Sequence, residues 1–116
     1  MASLNGMARR KKAVTGLISE LAAQLDFAKD PNILVFTPLG GLGPIDIVTL
    51  NMTTGEYTAY DVKSKNYRKK DYKAKDGYTR NCKGSFINRQ TTNEQKKLKV
   101  KIIYPWNFLV IFLYQN

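Results

Sequence analysis

The sequence predicts a mixed α/β domain, a central sheet flanked by helices. Three observations carry that prediction: a helical apolar period before residue 26, two alternating segments around a glycine turn between Pro44 and Lys63, and β-branched runs near the C-terminus behind a helix-capping sequence. With 116 residues the chain has room for one domain and one core, and a dimer would help to bury more surface. Residues 1–116 are therefore read as a single unit, with 1–7 expected to be flexible and 65–91 forming a basic, loop-rich segment.

Composition narrows the chemistry. Nineteen Lys and Arg stand against nine Asp and Glu, a net charge of +10 that points to a polyanionic partner, nucleic acid before membrane. Histidine is absent, which excludes Ser-His-Asp and Cys-His catalysis and any His-ligated zinc site. Cys82 is the only cysteine, so there is no internal disulfide, and an intracellular, reducing setting is expected. The N-terminus has no apolar signal region, and the longest apolar run, Phe108 to Tyr114, is far short of the ~20 residues of a membrane helix.

The first element is a helix opened by Arg9-Arg10-Lys11-Lys12, with Val14, Leu17, Ile18, Leu21 and Leu25 along one face. That face is expected to pack on the sheet, with Ser19 opposite it and Glu20 at its margin. The basic quartet reads as a phosphate contact. Asp30-Pro31 closes the helical region, because proline biases the residue before it away from the helix. Asn32 to Thr37 follows as a strand. Pro38-Leu39-Gly40-Gly41-Leu42-Gly43 is a loop, either a connector or a close backbone approach to phosphate; it lacks the Gly-Lys-Ser/Thr ending of a phosphate loop, and no helix follows it.

Pro44 to Lys63 then forms a hairpin turning at Thr53-Thr54-Gly55. Pairing Asn51 with Glu56 sets Leu50 opposite Tyr57, Val48 opposite Ala59, and Asp46 opposite Asp61. Two facing carboxylates repel by roughly 4 kcal/mol at about 4 Å and an effective dielectric near 20. A bound cation, the Lys63 ammonium or a raised carboxyl pKa has to offset this.

From Lys63 to Lys83 nine Lys and Arg accompany two Asp, with Tyr67, Tyr72 and Tyr78 interleaved. Cations that neutralise phosphate beside rings that stack on bases make a nucleic-acid surface, and Lys65, Arg68, Lys69, Lys70, Lys73 and Lys75 join Arg9, Arg10, Lys11 and Lys12 as DNA-binding residues. Turns are expected at Asp76-Gly77 and Lys83-Gly84, and the segment is a candidate to order only on its partner. Thr92-Asn93-Glu94-Gln95 is a capping box opening a short helix to about Leu98. Val100 to Tyr104 and Phe108 to Tyr114 read as strands around a Pro105-Trp106-Asn107 turn.

The string Pro44-Ile45-Asp46 followed by Asp61-Val62-Lys63 resembles the motif of the PD-(D/E)XK nucleases, and Glu20 resembles the additional helix acid that many members carry. Within that superfamily the likeness is nearest to the small archaeal-type Holliday-junction resolvases, and it covers about Ala13 to Lys65. Aspartate stands at position 61 where resolvases usually have glutamate, and the long basic segment after the motif is a second departure. The resemblance implies a restriction-endonuclease-like αβββαβ core and Mg²⁺-dependent hydrolysis of DNA, with Mn²⁺ as a substitute. It further implies that Glu20, Asp46, Asp61 and the Val62 carbonyl hold the metal, that Lys63 serves the attacking water or the transition state, and that a homodimer cuts branched DNA. A sequence-specific homing or restriction-type endonuclease is the alternative within the nucleases. Outside them stands a basic nucleic-acid-binding protein without chemistry.

Overall fold

The computed structural model describes residues 4–105. In chain order these form α1 (Leu4–Ala28), β1 (Ile33–Phe36), β2 (Ile47–Asn51), β3 (Tyr57–Val62), β4 (Tyr72–Lys73), β5 (Thr79–Arg80), α2 (Asn93–Lys97) and β6 (Lys101–Ile103). The main sheet runs β1-β2-β3-β6, antiparallel through the first three strands and parallel between β3 and β6, so it is mixed. A separate two-stranded ribbon, β4-β5, stands within the basic segment. The protein is thus a mixed α/β fold. The strand expected over Phe108–Tyr114, with Trp106 and Asn107 before it, lies outside the described residues.

The hairpin register is set at its far end. Asn51 Oδ1 accepts from the Thr53 and Thr54 N–H groups at 3.0 and 3.2 Å, its carbonyl accepts from the Gly55 N–H at 2.7 Å, and Gly55 takes φ 73°. Asn32, just before β1, donates to the same Asn51 side chain at 2.9 Å and accepts from the Thr53 hydroxyl at 2.6 Å. Three segments are therefore locked together at one polar corner. A one-residue slip would turn every side chain to the other face. The lock delivers the expected pairs, Val48 with Ala59 and Leu50 with Tyr57, and the Asn51 N–H donates to Glu56 at 2.9 Å.

The packing of α1 differs from the expectation. Val14, Leu17, Leu21 and Leu25 are exposed, and the buried side is Ser19, Ala22 and Ala23 with Phe27. Small side chains let the helix axis approach the sheet closely, so Ala23 packs with Ile47 and Val62, and Phe27 lies 4.9 Å from the Tyr60 ring. Ser19 is buried without penalty because its hydroxyl pairs with that of Ser64 at 2.7 Å. The helix also begins earlier than expected: residues 4–7, read as flexible, extend it by about one turn, as propagation adds a hydrogen bond for each residue fixed. At its other end it stops at Ala28, three residues before Pro31.

The basic segment has structure of its own. Tyr72 faces Arg80 and Lys73 faces Thr79 across the ribbon, with Gly77 in its turn at φ 88°. An aromatic chain ties the segment to the sheet: Phe86 meets Tyr67 at 5.9 Å and Tyr104, just past β6, at 4.9 Å. Gly77 and Gly84 both adopt positive φ, at the two turns the sequence marks.

Candidate active site

The sheet brings the two acids together at one end. Asp46 lies one residue before β2, and its N–H donates to the Tyr60 carbonyl at 2.8 Å, although Tyr60 is already the partner of Ile47, so Asp46 stands beside Asp61 rather than directly opposite it in the ladder as expected. Asp46 Oδ2 accepts the Val62 N–H at 2.7 Å. Lys63 N–H donates to Ile103, so Val62 is the residue of β3 whose backbone points away from β6, towards Asp46. Strand geometry sends the Val62 carbonyl to the same side as its N–H. Asp61 lies on the sheet face opposite α1, the face of Val48, Leu50 and Ala59, whereas Asp46, just outside that register, lines a cavity with Glu20 and Gln24 of α1.

Asp61 is 6% exposed and fully engaged. Gln95 Nε2 donates to its Oδ2 at 2.9 Å, and Lys63 Nζ lies 3.4 Å from the same oxygen. Gln95 is itself buried and fixed on every side. Its Nε2 also donates to the Pro44 carbonyl at 3.1 Å, its Oε1 accepts the Thr92 N–H at 3.0 Å, and its own N–H donates to Thr92 Oγ1 at 3.1 Å. The capping box that starts α2 therefore also holds Asp61 and the chain entering Asp46.

The two carboxyls answer the repulsion in two of the expected ways. Lys63 offsets Asp61. Asp46 is pushed up to about 6, first by burial, then by a hydrogen bond shared with Asp61, and further by the charges of Asp61 and Glu20, against the opposing pull of the Val62 N–H. Glu20 joins Asp46 in the wall of a cavity of about 200 Å³ with Gln24, Thr37, Pro38 and Gly41. Its place follows from the rotated helix face, since it is the neighbour of buried Ser19. Among the described residues no three acids or thiols converge closely enough to form a complete metal cage. Two carboxylates with a backbone carbonyl remain the hard-oxygen set, which suits an ion that keeps several waters.

Beside this acidic end lies a cationic cleft of about 720 Å³, whose wall includes Lys11, Lys12, Lys63, Ser64, Asn66 and Arg89. Gly16 lies in its wall and leaves space for an approaching backbone, with no atom within 4 Å of where a Cβ would stand. The structure thus joins Lys11 and Lys12, far away in sequence, to Lys63. Arg89 and Gln95 are the two that the sequence reading underrated: Arg89 stands outside the charge run, and Gln95 reads there as a cap. The remaining predicted cations, Arg9, Arg10, Lys65, Arg68, Lys69, Lys70, Lys73 and Lys75, are exposed on the helix start and the basic segment, outside that cleft. Arg68 lines a separate cavity of about 360 Å³ with Tyr72, Arg80 and Cys82.

No family model matches the chain, and no curated protein and no solved structure matches it. Among the described residues no helix is long and apolar enough to cross a membrane.

Proposed function

We propose that the protein is a metal-dependent nuclease of the PD-(D/E)XK kind, hydrolysing phosphodiester bonds in DNA. Within that class the reading is a structure-specific endonuclease, similar to Holliday-junction resolvases, working as a homodimer on branched DNA. One observation carries the class: Asp46 and Asp61 meet at the end of a register-locked hairpin with the Lys63 ammonium 3.4 Å from Asp61. The element order, with a helix, three antiparallel strands, a short helix and a strand parallel to the third, is compatible with a restriction-endonuclease-like core into which the β4-β5 ribbon is inserted.

In this reading Asp46, Asp61 and the Val62 carbonyl would hold Mg²⁺, or Mn²⁺ in its place, with Glu20, which shares a cavity wall with Asp46, as a further acid for it. When bound, the ion supplies a lowered water pKa and neutralises charge building on the phosphate. Gln95 keeps Asp61 in one rotamer by hydrogen bonding to Oδ2. Lys63 stands where the acidic end meets the cationic cleft, so it can place a water beside a phosphate held by Lys11, Lys12 and Arg89.

The test is cleavage of a labelled four-way junction and of the matching linear duplex, in Mg²⁺ and in EDTA. Wild-type protein is expected to cut the junction in Mg²⁺ alone. Asp61→Asn is expected to bind it as tightly and cut it at least about 100-fold more slowly, the scale on which loss of a metal-centred group acts. Absence of cutting of DNA or RNA in Mg²⁺ or Mn²⁺, with binding intact, would identify a non-catalytic binder. Site-specific nicking of linear duplex without junction cutting would favour the homing or restriction-type alternative.

A further inference from the structure

The connection between β1 and β2 carries two leucines for which the fold has no use. Gly41 N–H donates to the Pro38 carbonyl at 3.2 Å and Gly40 takes φ 85°, so Pro38 to Gly41 form a turn with the positive-φ third position of type II. Leu39 occupies the first corner of that turn and is completely exposed, and Leu42, just past it, is 88% exposed. Leaving a leucine in water forgoes roughly 1.5–3 kcal/mol relative to burying it. Gly40, Gly41 and Gly43 supply the positive φ values, 85°, 66° and 113°, that this path of the chain requires.

The position of the turn gives those leucines a role. Pro38 and Gly41, its two ends, form part of the wall around Glu20 and Asp46, so the apolar tip stands at the rim of the acidic cavity. On the surface of a chain with a net charge of +10, the partner with apolar faces to offer is a polyanion whose bases can come unstacked.

We propose that Leu39 and Leu42 form an apolar wedge that enters an unstacked base step of the nucleic acid next to the bond the acids address. The wedge would hold open a kinked or branched step while the cationic cleft keeps the backbone, and it would select against straight, fully stacked duplex. The substrate class rests on the nuclease reading. The wedge itself needs only nucleic-acid binding.

The experiment places 2-aminopurine at the branch point of a four-way junction and follows its fluorescence, which rises on unstacking, as full-length protein is added in EDTA. Wild type is expected to produce the rise. A variant carrying both Leu39→Ala and Leu42→Ala is expected to melt at the wild-type temperature, to bind within about twofold, and to lose the rise; its junction cutting at saturating protein in Mg²⁺ should fall about 100-fold, in line with the cost of unstacking a step. Leu39→Phe should keep the rise. A wild type that binds the junction without any rise, or a double variant that keeps it, overturns the wedge, as would leucine-dependent binding to phosphatidylglycerol vesicles in its place. A leucine-dependent rise with no cutting in Mg²⁺ or Mn²⁺ upholds the wedge and sinks the nuclease reading, whereas cutting without a rise does the reverse.

Discussion

Asp46 is the residue whose environment makes the sharpest demand. Its carboxyl is raised from 3.8 to about 6, so the folded chain holds a proton there more tightly than the unfolded chain does. A raised acid costs stability as pH climbs: the folded state is favoured below about pH 4, and that advantage drains away between pH 4 and pH 6 as the group ionises beside Asp61 and Glu20. For a carboxyl only partly withdrawn from water the swing is on the order of 1 kcal/mol once solvent screening is allowed for. In metal-free buffer, wild type should therefore lose melting temperature relative to Asp46→Asn as pH rises from 4 to 6.5. Parallel curves for the two proteins would show that Asp46 carries no such burden. Adding Mg²⁺ at pH 7 should raise the melting temperature of wild type and leave that of Asp46→Asn nearly unchanged, because only the former presents both charges.

At the scale of elements, α2 and α1 teach opposite lessons. The capping box at Thr92 was legible because it is a local pattern, and it forms as read, with Gln95 at the third helical position bonding back to Thr92. Its second duty was not legible, since nothing local announces that Gln95 also reaches Asp61, 34 positions away. Thr92→Ala should cost about 1 kcal/mol, the worth of a cap. Gln95→Leu removes the cap partner and also a donor to a buried carboxylate, and should cost about 2–4 kcal/mol in urea unfolding. Equal losses for the two variants would mean that the Asp61 contact contributes nothing.

For α1 the hydrophobic period was legible and misleading. Period gives the helix, and residue size decides which side meets a close-packed sheet; a stripe of Ser19, Ala22 and Ala23 is invisible to a scale that ranks leucine above alanine. Ala23→Leu should thus overpack the contact with Ile47 and Val62 and cost about 1–3 kcal/mol. Leu21→Ser, at 53% exposure, should stay within about 0.5 kcal/mol of wild type. The reverse order would restore the leucine face to the core. By contrast, the hairpin and its turn were legible. Alternation, a glycine turn and one assumed pair suffice to fix the register from Leu50 to Ile47, and it slips only at the sheet's end, where the Asp46 N–H also goes to the Tyr60 carbonyl.

The whole molecule separates its charges by location, and the separation can be measured. Lys11, Lys12, Lys63 and Arg89 meet in the cleft beside the acids, whereas Lys69 and Lys70 sit exposed on the basic segment, tethered to the sheet through Phe86 and Tyr104. If both groups contact phosphate, each lysine removed should lower the slope of log K against log salt by about 1. Lys69→Ala with Lys70→Ala should therefore weaken binding to every DNA about equally, and flatten the slope by about 2, while leaving the rate of bound-state cutting near wild type. Lys11→Ala with Lys12→Ala should flatten it by the same amount and, on the proposed nuclease reading, also slow cutting, because those two share the cleft wall with Lys63. Titrations of one junction at several salt concentrations, paired with single-turnover rates at saturation, give both quantities from the same samples. An unchanged slope for the Lys69 and Lys70 pair would remove the basic segment from the interface and leave the cleft to hold the strand alone.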